Sequence, residues 1–221
     1  MLHHACLADS RSVVIPLLLA HPDIDVNLKT RRKATPFLDA CLSGSTSCVR
    51  EMLKDSRVKV NEPNNRGSTP LWIAAYCRQL DVIKWWIASG REMNLGKPGD
   101  IYKTDALGMA KNQRKNEVVT LLERFQENPK ETRDAMRLEL GLLDGLAAEM
   151  FALVVFVSEE LLRIKNTATT TTPAARFFRI ATQLPLELQM VLCFRLVRSC
   201  KEIIPGKESE VAFKKLARQL W

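Results

Sequence analysis

Histidine and glycine are scarce in this chain, and each scarcity removes a class of chemistry. His3, His4 and His21 are the only histidines, and none stands in an H-E-x-x-H or Cys/His metal spacing. Among the 9 glycines, Gly96-Lys97-Pro98-Gly99 lacks the spacing and the helix start of a phosphate-binding loop. Serines, cysteines and carboxylates are scattered without a nucleophile–base pairing. An enzyme is therefore not expected, and neither a metal nor any other cofactor is called for. The longest apolar run, Met150 to Val157, is far too short to cross a bilayer, so no membrane span is expected. No secretory leader is expected either, because Met1 runs almost directly into His3 and His4. None of the six cysteines (Cys6, Cys41, Cys48, Cys77, Cys193, Cys200) forms a C-x-x-C pair. Several fall on apolar helix faces and read as reduced and buried, which points to the cytoplasm, with the nucleus as a second location.

What is present suits packed helices. Apolar residues make up 46% of the chain while aromatics make up 6%, so an aliphatic all-α core is expected rather than a sandwich of strands. The net charge is +8. Residues 1–125 hold 19 Lys and Arg against 13 Asp and Glu, a local excess of +6. A nucleic-acid binder would show a denser basic stripe, so nucleic acid is not the expected partner.

The chain repeats itself. Thr35-Pro36-Phe37-Leu38-Asp39-Ala40-Cys41 recurs as Thr69-Pro70-Leu71-Trp72-Ile73-Ala74-Ala75, 34 residues later. Unit ends recur as Ile24-Asp25-Val26-Asn27, Val58-Lys59-Val60-Asn61 and Glu92-Met93-Asn94. A second apolar helix pattern falls at Val13 to Leu19, Cys48 to Leu53, Val82 to Ile87 and Val118 to Leu122. Four units can be placed. The first opens inside its own helix, and the fourth has Asp105-Ala106-Leu107-Gly108-Met109-Ala110 in place of Thr-Pro. Thr35 and Thr69 can cap a helix, with Pro36 and Pro70 at the first helical position. Asn27, Asn61 and Asn94 suit the turn into the next hairpin.

These residues resemble the ankyrin repeat, whose pattern is roughly T-P-L-H-x-A-A, a turn, a second helix, then G-A-D-V-N. The resemblance implies a solenoid of about four repeats over residues 1–128. Its motif histidine is replaced by Leu38 and Trp72, so a polar link between neighbouring repeats is expected to be lost. The resemblance also implies a scaffold that binds a protein through its hairpin tips and concave face. Lys29, Arg31, Arg32 and Lys33 crowd one tip, enough to attract an acidic partner; a solvated loop and a nuclear-import signal are the other readings of the same residues. Asn64, Asn65 and Arg66 form the next tip. Tyr76 and Tyr102 fall where the pattern turns toward the groove. Of Trp85 and Trp86, at least one is expected to be core.

Beyond residue 128 the period disappears. Residues 129–165 read as a helical extension carrying Met136, Leu140, Leu143, Ala147, Met150, Val154 and Val157 at helical spacing. It either caps the apolar end of the solenoid or offers a partner surface. Residues 166–174 read as a Thr-rich linker, and 175–221 as a C-terminal helical segment with a last helix from about Ser209. Within it, Leu184-Pro185-Leu186-Glu187-Leu188 resembles the start of an F-box, or of the F-box-like segment that closes some ankyrin proteins. That likeness implies docking to a ubiquitin-ligase adaptor through Leu184, Pro185 and Leu188, with the repeats as substrate receptor. The same string is also an ordinary helix start.

Overall fold

Each Thr-Pro pair starts a helix by the same chemistry. In the computed structural model, Thr35 Oγ1 accepts from Leu38 N at 3.3 Å and Thr69 Oγ1 from Trp72 N at 3.2 Å, opening helices at Pro36 and Pro70. The fourth unit keeps the device with another residue: Asp105 Oδ1 accepts from Gly108 N at 2.6 Å. The structure describes residues 1–95, 104–162, 173–197, 203–204 and 206–220. Every helix or strand assigned among them is a helix. The Thr-rich linker lies almost wholly outside the described residues, as do Cys200 and all of residues 96–103, Tyr102 among them.

The chain divides into two units, Met1–Met136 and Arg137–Trp221. The first holds four helix pairs: α1 (Leu2–Cys6) with α2 (Ile15–Ala20), α3 (Pro36–Ser43) with α4 (Thr46–Lys54), α5 (Pro70–Tyr76) with α6 (Leu80–Ser89), and α7 (Ala106–Asn112) with α8 (Asn116–Glu127). The first helices of the pairs pack on one another in one row and the second helices in another. In the first pair a 3-10 segment, Asp9–Val14, takes up the start of the expected second helix; α2 begins only at Ile15, with Pro16 in its first turn. After α8, the Asn128 side chain caps the next helix and pairs with Glu131. Its Oδ1 accepts from Glu131 N at 3.2 Å, and its Nδ2 donates to the Glu131 carboxylate at 2.7 Å, opening α9 (Pro129–Glu139). The Thr132 hydroxyl then donates to Arg124 O at 2.9 Å and ties α9 to α8.

Turns between paired helices need a left-handed residue. Gly44 supplies it at φ 71°, whereas Arg78 (φ 57°) and Arg114 (φ 53°) hold the same conformation against their own Cβ. Hairpin tips pose the same demand, met by Gly67 (φ 72°) in one and by Lys33 (φ 55°) in the other.

Polar links join successive repeats at the period of the sequence. Asn27 donates to Arg57 O at 2.8 Å and accepts from Lys59 N at 2.8 Å; Asn61 donates to Glu92 O at 3.2 Å and accepts from Asn94 N at 3.1 Å. These asparagines were expected to shape turns, and they also splice each loop to the next. Arg57 and Arg91 make a second set of links. Arg57 Nη2 donates to Leu19 O at 2.5 Å; Arg91 Nη1 donates to Leu53 O (3.4 Å) and Asp55 O (2.8 Å), and its Nη2 to Val58 O (2.6 Å). Each arginine thus reaches back to the carbonyl end of the preceding unit's second helix, where a cation also opposes the helix dipole.

Within the second unit, α10 (Leu142–Ser158) contacts α11 (Pro173–Ala181), α12 (Leu186–Leu196) and α13 (Gly206–Leu220). The apolar positions expected at helical spacing from Met136 to Val157 fall on two helices, α9 and α10, separated at Gly141 (φ 67°). Ala147, Ala148, Phe151, Ala152 and Val154 are buried with Ala181, Cys193, Phe194 and Ala212 in one apolar cluster. The rings of Phe151 and Phe156 lie 6.1 and 5.8 Å from that of Phe213. The residues read as a separate extension and tail therefore share a core from Leu142 onward. The last helix starts at Gly206, three residues before the expected Ser209, whose hydroxyl instead donates back to Gly206 O.

Candidate interaction surface

The hairpin tips are built from short backbone turns. Lys33 N donates to Thr30 O and Thr30 N to Ala34 O, leaving Arg31, Arg32 and Lys33 exposed on the bend. One repeat later Gly67 N donates to Asn64 O and Asn64 N to Ser68 O, with Asn65 and Arg66 exposed. A backbone bond from Asn65 N to Arg32 O, 2.9 Å, locks the two tips side by side.

Between these tips and the first-helix row lies a groove of about 290 Å³. Arg32, Asn64, Asn65 and Arg66 line its tip side, and Leu38, Leu42, Trp72, Ile73 and Tyr76 line its helix side. The groove brings together five of the residues singled out from the sequence: Arg32, Asn64, Asn65, Arg66 and Tyr76. Asn64 is committed to the turn, since its Oδ1 accepts from Arg66 N and Ser68 N. Lys29 is ion-paired with Glu62 across the repeat boundary, so it belongs to the scaffold as much as to the surface. Arg31 and Lys33 sit on the exposed bend outside the groove lining. Tyr76 is 44% exposed and stacks on Trp72, with centroids 5.6 Å apart and planes 8° from parallel.

Three residues that the motif did not point to bear on this surface: Leu42 lines it, and Gln79 and His3 fix its supports. Leu42, 48% exposed at the end of α3, faces the groove as an apolar side chain without a core role. Gln79 Nε2 donates to its carbonyl at 3.3 Å and fixes that helix end. His3 occupies the motif-histidine position of the first repeat, because Leu2-His3-His4-Ala5-Cys6 follows L-H-x-A-A with Cys6 in place of the second alanine, as Cys41 is in the second repeat. Its Nδ1 lies 2.7 Å from Asp39 Oδ2 and its Nε2 2.7 Å from Leu28 O, joining the first repeat to the second. The absence of a Thr-Pro ahead of Leu2 hid that alignment.

The lost link expected at Trp72 is corrected as well. Trp72 Nε1 donates to Thr104 O at 3.0 Å, so the indole N–H takes over the polar bridge to the next repeat. Trp86 is fully buried, its ring edge-on to Phe37 at 5.1 Å, while half-buried Trp85 carries the Arg50 guanidinium at 5.4 Å. Burial pushes the thiols up, Cys6 to about 12 and Cys48 and Cys193 to about 11, with Cys41 well above and Cys77 above its ordinary value. At neutral pH these five are protonated and poorly nucleophilic. Among the described residues no group of His, Cys, Asp or Glu is arranged to hold a metal, and no single helix is long and apolar enough to cross a membrane.

Paired helices recurring at one period, with capped first helices and a row of spliced hairpin tips, define a helical repeat solenoid. Residues 2–97 match a family model described as ankyrin repeats (3 copies). The N-terminal unit is an ankyrin-repeat array, whose fourth helix pair lies beyond the matched stretch. Its relatives include alpha-latrotoxin-Lg1a of Latrodectus geometricus, 30% identical over 108 residues, which are 48% of this chain and 8% of the toxin. Rabankyrin-5 of Homo sapiens is 25% identical over 91 residues, 41% of this chain and 8% of that protein. The putative ankyrin repeat protein YahD of Escherichia coli (strain K12) is 28% identical over 123 residues, 53% of this chain and 59% of that one. The chain thus spans less than a tenth of the first two. Ankyrin arrays are, as a class, protein-interaction scaffolds and typically not enzymes.

Proposed function

We propose that this chain is a scaffold that holds a protein partner in the groove between the tips at 30–34 and 64–68 and helices α3 and α5. The observation that carries the reading is the pairing, in one concavity, of two exposed apolar side chains, Leu42 and Tyr76, with the exposed cations Arg32 and Arg66. Apolar contact area inside a charged rim is the usual anatomy of a protein contact. Site-specific photo-crosslinking tests it in cells. A benzophenone side chain replacing Tyr76 should give a discrete protein adduct, and the same group replacing Trp85 on the second-helix row should not. Equal adducts from both positions, or none from position 76, would sink the reading. A reducing cytoplasmic or nuclear compartment accords with the buried thiols.

A second reading has its own observation. Pro185 directly precedes α12, and Leu186, Leu188 and Leu196 on that helix are each at least half exposed. Exposed leucines beside the Leu184-Pro185 start fit a docking helix for a ubiquitin-ligase adaptor. The full chain mixed with that adaptor should then co-elute on gel filtration, and a Leu188→Glu variant should not.

A further inference from the structure

We propose that the groove of the ankyrin unit takes an extended acidic peptide, with a carboxylate seated between Arg32 and Arg66 and an apolar side chain resting on Leu42 and Tyr76. The proposal rests on the reading that this groove is the binding site and adds the chemistry of its occupant. The charge balance around the tips decides the sign. Arg31, Arg32, Lys33 and Arg66 form no ion pair among the described residues, while Glu62 is already paired with Lys29. Asp39 faces the groove with its carboxylate held by His3 at 2.7 Å. The rim is therefore cationic, and a basic segment is repelled.

Geometry narrows the occupant further. The Asn65 N to Arg32 O bond fixes the two tips against each other, so the backbone positions that carry Arg32 and Arg66 share one edge of the groove. Planar guanidinium forks match carboxylate oxygens bidentately, as an ammonium does not. The Asn65 side-chain amide, without a partner among the described residues, offers a donor and an acceptor to a peptide backbone passing over the tip. On the helix side, Tyr76 is backed by the stacked Trp72, whose own N–H is spent on Thr104 O. That makes a rigid apolar floor beside Ile73 and Leu42.

Panning a random twelve-residue phage library against the full chain tests the proposal. Selected peptides should carry Asp or Glu at a fixed spacing from Leu, Met or an aromatic residue. Their affinity should fall as salt is raised. It should drop about tenfold for each of Arg32→Ser and Arg66→Ser, with helicity unchanged. Selected peptides without acidic residues, equal binding to the Arg32→Ser/Arg66→Ser double variant, or no selection at all overturns the proposal. Displacement of the peptides by a twelve-nucleotide oligouridylate that binds equally well also overturns it, in favour of nucleic acid. The underlying groove reading is separated by Leu42→Lys with Tyr76→Ser. Peptides that ignore the arginines but are lost with this pair leave the groove in place and remove only its acidic occupant; peptides indifferent to both pairs remove both.

Discussion

The two units of this chain are held together in different ways. In the ankyrin unit each helix pair touches its neighbours, and the junctions carry recurring polar fasteners: Asn27 and Asn61, Arg57 and Arg91, His3 and Trp72. The second unit has no period. One helix, α10, is apolar on nearly every side and is covered by α12 and α13, with Lys215–Glu149 as an ion pair between α13 and α10. Losing one junction in the first unit should weaken a pair of neighbours. Losing one large side chain in the second should weaken everything at once, because a shared core has no local compartments.

The sharpest test is Phe151→Ala. Removing a ring that is 6% exposed in the α10 cluster should cost the second unit about 3–5 kcal/mol. The helical circular dichroism transition of the second unit should move down, and a curve superimposable on that of the unaltered chain would contradict the shared core around α10.

A single fastener comes next. Arg91→Ala strips three carbonyls of a charged donor and should cost about 2–3 kcal/mol in urea denaturation. Arg91→Lys should recover less than half, since an ammonium cannot span the fork. Full recovery with lysine would mean that charge at the helix end matters and the links do not.

Alkaline pH probes the packing between the first two repeats. Burial raises the Cys6 thiol to about 12, above its value near 9 in the unfolded chain. Its contribution is complete below pH 9 and is lost as pH climbs through 9 toward 12, about 1 kcal/mol by pH 10. Cys6→Ala should flatten the fall in urea midpoint between pH 8 and 10 relative to the unaltered chain. Parallel curves would contradict this.

The smallest effect concerns the strained turn. Arg114→Gly relieves a left-handed arginine on an exposed turn and should stabilise the array by about 0.5–1 kcal/mol, the strain relief exceeding the added freedom of the unfolded chain. A loss of stability would show that the arginine side chain contributes more than its backbone costs.

How much of this was legible beforehand follows the same division. The helix starts at Pro36 and Pro70 were readable because caps are local; the fourth unit was readable from the apolar spacing of 105–110, while the capping role of Asp105 emerged only in the structure. The Arg57–Arg91 pair stood in the sequence at the repeat period, yet each residue looked like ordinary surface charge. Its carbonyl targets exist only after stacking. Nothing in the motif marks Leu42 as a groove residue, and only the neighbouring repeat decides that it stays uncovered. In the second unit the all-round apolarity of α10 declared burial but named no facing side, so its pairing with α12 and α13 could not be foreseen.

Arg57 and Asn61 also bear on how such a chain changes over generations. A segment cut from about residue 57 to residue 90 carries one residue that grips the unit before it and one that grips the unit after it. A duplicated or deleted copy of that segment would therefore join at both borders with no repair mutations elsewhere. The array can lengthen or shorten by whole modules, moving its recognition surface along, while the unit built on α10 can only be kept or lost entire.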